Sequence, residues 1–133
     1  MNSGERNQFV VLQGVNYAVV RESMIRAHLF GKLLPEWGEE AFNEELPEMD
    51  GWLWRVERVK ISDIKLWDEV MRDPTFILEL EKRVAMQKDR IAQGEHIEPI
   101  VVRGRDMVIY DGYARLHVLK QLGKTEVMAY IGR

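Results

Sequence analysis

Cysteine is absent from this 133-residue chain, which excludes disulfides, thiol nucleophiles and cysteine-ligated metals. Long apolar runs are absent too. No window approaches ~20 consecutive apolar residues, so no membrane-spanning helix is expected, and the start MNSGERNQF lacks the apolar core of a signal peptide. A soluble, cytoplasmic protein with no membrane partner is the expectation. Positive charge is in the minority: 19 Lys and Arg against 22 Asp and Glu leave a formal charge of −3. That argues against whole-surface attraction to nucleic acid or anionic lipid, while a local basic patch stays open. Histidine is scarce, and His28, His96 and His117 show no ligand spacing, so no metal centre is expected.

What the chain does have is 46% hydrophobic residues, enough to bury about two-thirds of its unfolded surface in one compact body with a small appendage. Residues 8–20, QFVVLQGVNYAVV, read as two strands joined at Gln13-Gly14 in a hairpin. A helix over 22–34 carries Met24, Ile25, Leu29 and Leu33 and is expected to stop at Pro35. The acidic segment 35–51, with two prolines and two glycines, reads as a connector holding at most a short helix. It is the expected boundary between an N-terminal hairpin-helix extension, 1–50, and a main domain, 51–133. Trp52, Trp54 and Val56 then share one face of a strand; a stacking surface for nucleic acid is conceivable, but sealing a core is the better reading. Asp73-Pro74 caps a helix with an Ile77, Leu80, Val84 and Ile91 seam that ends at Gly94. Two strands, 99–102 and 107–110, a helix over 113–122 and a closing strand, 125–131, complete the order.

The most informative stretch is Tyr110-Asp111-Gly112-Tyr113-Ala114-Arg115-Leu116, where an apolar strand runs through Asp-Gly directly into a helix with Arg in its first turn. The glycine lets the backbone turn without a Cβ clash, and the free N–H groups of the new helix present a positive dipole end to an anion. Arg115 adds a charged, fork-shaped donor. The plainer reading is a strand-to-helix turn with Asp111 as N-cap.

Taken in order, GEHIEPIVVR, a hairpin, IYDGYARLHVLKQLG and EVMAYIG resemble the ParB/sulfiredoxin superfamily over about residues 54–133. Gly94, Pro99, Ile100, Val102, Gly112, Arg115, Leu122 and Gly123 stand at the places of its strand, G-x-x-R turn and helix-ending LG. The resemblance implies an α+β (mixed α/β) fold, a small mixed sheet flanked by helices, with nucleotide phosphates bound at the turn. Sulfiredoxins carry cysteine and histidine between that glycine and arginine; Tyr113 and Ala114 stand there in this chain, which removes sulfinic-acid repair. ParB-type partition proteins have a GERR-like box that binds CTP, followed by a helix-turn-helix module, and this chain ends before any such module. The free serine kinases of the superfamily have a DGHHR box and an upstream glutamate, matched in part by Asp111 to Arg115 and by Glu69.

That resemblance implies Glu69 and Asp111 as an acidic catalytic pair. One would act as base toward a hydroxyl, while the other orients it or helps hold magnesium on the phosphates. Gly112, Tyr113, Ala114 and Arg115, with His96 and Pro99 in the loop and strand start before them, form the implied binding set for ATP, ADP or CTP. Kinase or nucleotide-hydrolase activity stays open. The alternative is a DNA-associated regulator or nuclease module in which Arg103, Arg105, Lys124 and Arg115 contact a sugar–phosphate backbone. Oligomeric state is undetermined, with a dimer among the options.

Overall fold

The computed structural model describes residues 8–133. The first seven residues, on which much of the signal-peptide reading rests, lie outside them. Among the described residues no helix is long and apolar enough to cross a membrane.

Strands β1 (Gln8–Leu12) and β2 (Val15–Val19) form the expected hairpin. Gln13 and Gly14 both have positive φ, 50° and 79°, the conformation a tight two-residue hairpin turn demands. Helix α1 spans Ile25–Trp37, beyond the stop expected at Pro35. Proline removes one hydrogen bond, to the Gly31 carbonyl, but Gly31 and Pro35 are both exposed and water can satisfy that group. The stop comes instead at Gly38, whose φ is 86° and whose N–H closes on Leu34 O.

A second correction follows directly. The acidic segment is not a connector with at most a short helix but carries an eleven-residue helix, α2 (Glu39–Met49). Glu39 and Glu40 favour its positive end, and Phe42, Leu46 and Met49 form an apolar stripe at helical spacing, with Phe42 and Met49 buried.

Strand β3 (Trp54–Lys60) leads through the short helix α3 (Asp68–Met71) to the long helix α4 (Pro74–Ala92). Asp73 caps α4 as expected, its Oδ1 accepting from Thr75 N at 2.9 Å and Phe76 N at 3.4 Å. Then come β4 (Ile100–Arg103), β5 (Val108–Asp111), α5 (Tyr113–Gln121) and β6 (Glu126–Gly132). The main sheet has the order β3-β6-β4-β5, with β4 parallel to β6 and the outer pairs antiparallel. The fold is therefore α+β with a small mixed sheet flanked by helices. The run IVV in β4 and AYI in β6 are continuous rather than alternating because both strands are inner members of the sheet and are buried on both faces.

The hairpin and α1 enter the same core as the sheet. Val15, Tyr17, Leu29 and Leu33 are buried alongside Ile100, Val127 and Ile131. Ala18 N donates to Ile97 O and Ile97 N to Asn16 O, so β2 is stitched to the segment before β4. Tyr130 Oη accepts from Val20 N at 2.9 Å. Trp52 and Trp54 pack over Gly132, and Trp52 stacks on Tyr110 at 6.0 Å, so the tryptophans seal the sheet.

Candidate functional site

The junction between β5 and α5 is built on Gly112, whose φ of 105° lies in the left-handed region. A Cβ there would sit 2.7 Å from Ile100 Cγ2 and 2.9 Å from Arg115 Nη2, so any side chain strains the turn and forces its neighbours to shift. Leu116 N donates to Gly112 O at 2.9 Å and closes the first turn. Gly112 has no side chain to cap the helix, which leaves the amides of Tyr113, Ala114 and Arg115 without helical acceptors although all three residues are buried. Asp111 does not cap them. Its carboxylate turns to Arg115, so the plainer N-cap reading of this turn is not what the chain adopts.

Arg115 is 7% exposed and is the one charged residue buried to this degree among the described residues. Its Nη1 donates to Glu98 O and its Nη2 to Asp111 Oδ2, each at 3.2 Å. Burying a guanidinium is costly unless it is paired and hydrogen-bonded, and this one is both. Lys32 lies on the same partners: its Nζ is 2.7 Å from Glu98 Oε2 and 3.5 Å from Asp111 Oδ2. His28, one turn earlier on α1, meets Glu98 Oε1 at 2.5 Å. The hydrogen bond with His28, reinforced by Lys32 against the opposing effect of burial, holds the Glu98 carboxyl down at about 2.

Lys32, Glu98, Asp111 and Arg115 line a cleft of about 1120 Å³ walled by α1, α2 and α4 and floored by the start of α5, and His28 supports Glu98 from outside that lining. Asp111, Gly112, Tyr113, Ala114 and Arg115 all line it, as do Glu69 from α3 and His96 from the loop before β4. Pro99 is buried immediately before β4, outside the lining. His96 also packs at a tilt against Phe9 of the hairpin, ring centres 4.4 Å apart. Tyr113 donates from its hydroxyl to Ile109 O at 3.2 Å and packs edge-on against Phe76, so its ring is committed to the protein. Burial raises its pKa above the ordinary phenol value.

One feature of the floor was not readable from the pattern. Val101 pairs with Asp111 but Val102 pairs with Ile109, so Tyr110 is an extra residue in β5, a bulge. In a regular strand neighbours point to opposite faces; the bulge lets Tyr110 and Asp111 both reach the cleft. Tyr110 Oη donates to Glu45 Oε1 at 2.7 Å, which ties α2 to the floor. The meeting of His28 and Lys32 with Glu98 beside the cleft was likewise not readable. The four-residue spacing of His28 and Lys32 places them on one helix face, but nothing in sequence says that this face meets Glu98.

Arg103 and Arg105, named for backbone contacts, are already engaged. Arg103 makes two bonds of 2.9 Å to Asp106 and lies over the rings of Trp67 and Tyr110, and Arg105 forks onto Glu48 at 2.6 and 3.3 Å. Among the described residues no three histidine or carboxylate side chains gather as a metal cage. A magnesium ion brought in on phosphate oxygens does not require one, because it keeps waters and takes only one or two protein carboxylates.

No family model and no curated protein matches the chain. Among solved structures, the chain is similar to a Pnob8-like ParB-N domain in a C2221 crystal form, at 24% identity over 61% of this chain and 30% of that one, with a TM-score of 0.47. A second, a pNOB8-like ParB N-domain, matches at 28% identity over 61% of this chain and 28% of that one, with a TM-score of 0.42. The chain spans less than a third of the length of either matched structure.

Proposed function

We propose that the cleft binds the phosphate groups of a nucleotide, ATP, ADP or CTP, against the first turn of α5, with Arg115 as the charged donor. The single observation that carries this reading is a buried, uncapped helix N-terminus opening into a large cleft beside a buried arginine. Amides at a helix start without intrahelical acceptors are available to an anion, which gains from the helix dipole as well.

Transfer or hydrolysis of the terminal phosphate extends the same reading. In this reading Glu69, one of the carboxylates lining the cleft, takes a proton from a hydroxyl, with a magnesium ion, where present, neutralising phosphate charge. Asp111 is bound to Arg115 and faces Lys32, so its contribution is to hold those cations rather than to act as a free base. The alternative, a DNA-associated module, has less support because Arg103 and Arg105 are neutralised by carboxylates.

Isothermal titration of ATP, ADP and CTP with magnesium into the wild-type protein and an Arg115→Ala variant tests the proposal. The variant should bind at least about tenfold more weakly, the size of one charge-assisted hydrogen-bonding group. Arg115→Lys keeps the charge without the fork and should fall between the two. Equal heats from wild type and Arg115→Ala would remove Arg115 from the site.

A further inference from the structure

The residues of the N-terminal segment that reach the cleft resemble nothing in the motif read from sequence, yet they bring a cation to the same atom that Arg115 grips. Asp111 Oδ2 lies 3.2 Å from Arg115 Nη2 and 3.5 Å from Lys32 Nζ. An oxygen held between an ammonium and a guanidinium, at the mouth of an uncapped helix, occupies a position suited to an oxygen of an anion. In this chain that oxygen belongs to the protein itself. We infer that Lys32 is a second phosphate-binding residue of the cleft, delivered by α1, and that Asp111 is a built-in competitor that a phosphate must displace.

The donor inventory permits the exchange. An ammonium has three donors, so Lys32 can keep its 2.7 Å contact with Glu98 while turning another toward a phosphate oxygen. A guanidinium has five, of which the bonds to Glu98 O and Asp111 engage two. Both cations are already positioned: Arg115 by its burial, and Lys32 by Glu98, which His28 holds from the other side. A phosphate carries more negative charge than a carboxylate and offers oxygens in three dimensions, so it can meet Lys32, Arg115 and the amides of α5 together, which Asp111 does not. Asp111 sits immediately before Gly112, and its displacement requires rotation of its side chain toward the cleft it already lines, with its contacts to Arg115 and Lys32 replaced by those of the phosphate.

This inference rests on the phosphate-binding reading above, and its test separates the two. Magnesium-ATP and inorganic pyrophosphate are titrated into wild type, Lys32→Gln, Lys32→Arg and Asp111→Asn, with circular dichroism and thermal melts confirming that each variant folds. Lys32→Gln should weaken both ligands about tenfold, Lys32→Arg should restore most of the loss, and Asp111→Asn should tighten binding about threefold or more. Tightening is the decisive readout, because a variant that merely damages the fold does not bind better. If wild type binds neither ligand, the phosphate reading falls and this inference with it. If wild type binds and Lys32→Gln matches it within twofold, the phosphate reading stands and the role of Lys32 is wrong. Weaker binding by Asp111→Asn would overturn the competitor role and make Asp111 a supporting group.

Discussion

At the scale of the residue, Gly112 and Arg115 shape the floor of the cleft, and each is fixed by a different physical constraint. Gly112 is fixed by sterics: a φ of 105° and a neighbour 2.7 Å from where a Cβ would lie penalise every side chain. Gly112→Ala should therefore destabilise the protein by ~2 kcal/mol, read as a lower urea midpoint with unchanged m-value. An unchanged midpoint would mean that the turn relaxes freely and is not held by Ile100 and Arg115. Arg115 is fixed by electrostatics, since a buried guanidinium needs acceptors around it, and in this structure Asp111 and the Glu98 carbonyl supply them. Both residues were legible in the sequence, Gly112 by turn chemistry and Arg115 by its offset from that glycine. The partners of Arg115 were only half legible: Asp111 is four residues away, but Glu98 is seventeen away on another segment.

At the scale of the element, the outcome turned on whether apolar spacing or backbone punctuation decides where a helix ends. Pro35 and Pro47 both lie inside helices, because their missing hydrogen bonds fall in exposed turns while Leu33, Phe42 and Met49 gain burial. The carboxylates of α2 conceal its stripe from a reading based on charge density, though Phe42, Leu46 and Met49 were present to be counted. Helix α4 was more easily read, since Asp73-Pro74 and Gly94 mark both ends. None of its residues is fully buried, so its stability leans more than usual on its cap. Asp73→Ala should cost about 1 kcal/mol and reduce helicity locally, seen as faster amide exchange over residues 75–80. Loss of exchange protection spread evenly along the whole chain would argue against a local cap effect.

At the scale of the whole molecule, the cleft exists because distant segments are strapped together. Glu36 of α1 pairs with Arg83 of α4 at 2.5 Å, Trp37 meets Trp67 edge-on, and Glu45 of α2 accepts from Tyr110. Glu98 is the hub that joins α1 to the start of β4, and its carboxyl is held at about 2, below the ordinary 4.5, mainly by His28 and then by Lys32. A depressed carboxyl stabilises the fold above its unfolded pKa and loses that contribution as pH falls, in this case from 4.5 toward 2. Wild type should lose more stability than Glu98→Gln over that window, measured by urea unfolding at pH 6, 4 and 3. The difference should be modest, about 1 kcal/mol, because the side chain is 35% exposed and solvent screens the pair. Parallel pH profiles for the two proteins would remove Glu98 from that role.

By itself the sequence determined what depends on neighbours along the chain: the Gln13-Gly14 hairpin, the capped start of α4, the strand-turn-helix at Asp111-Gly112, and the exclusion of thiol chemistry. These are local because backbone φ preferences, caps and periodicity act over a few residues. Only the tertiary structure decided that α1 lies against the segment before β4, that a bulge at Tyr110 turns two successive side chains into one cleft, and that Lys32 and Arg115 share a single carboxylate oxygen. Such meetings depend on packing between segments far apart in the chain. Burial rewards them only after the chain has closed, and no spacing along the sequence encodes them.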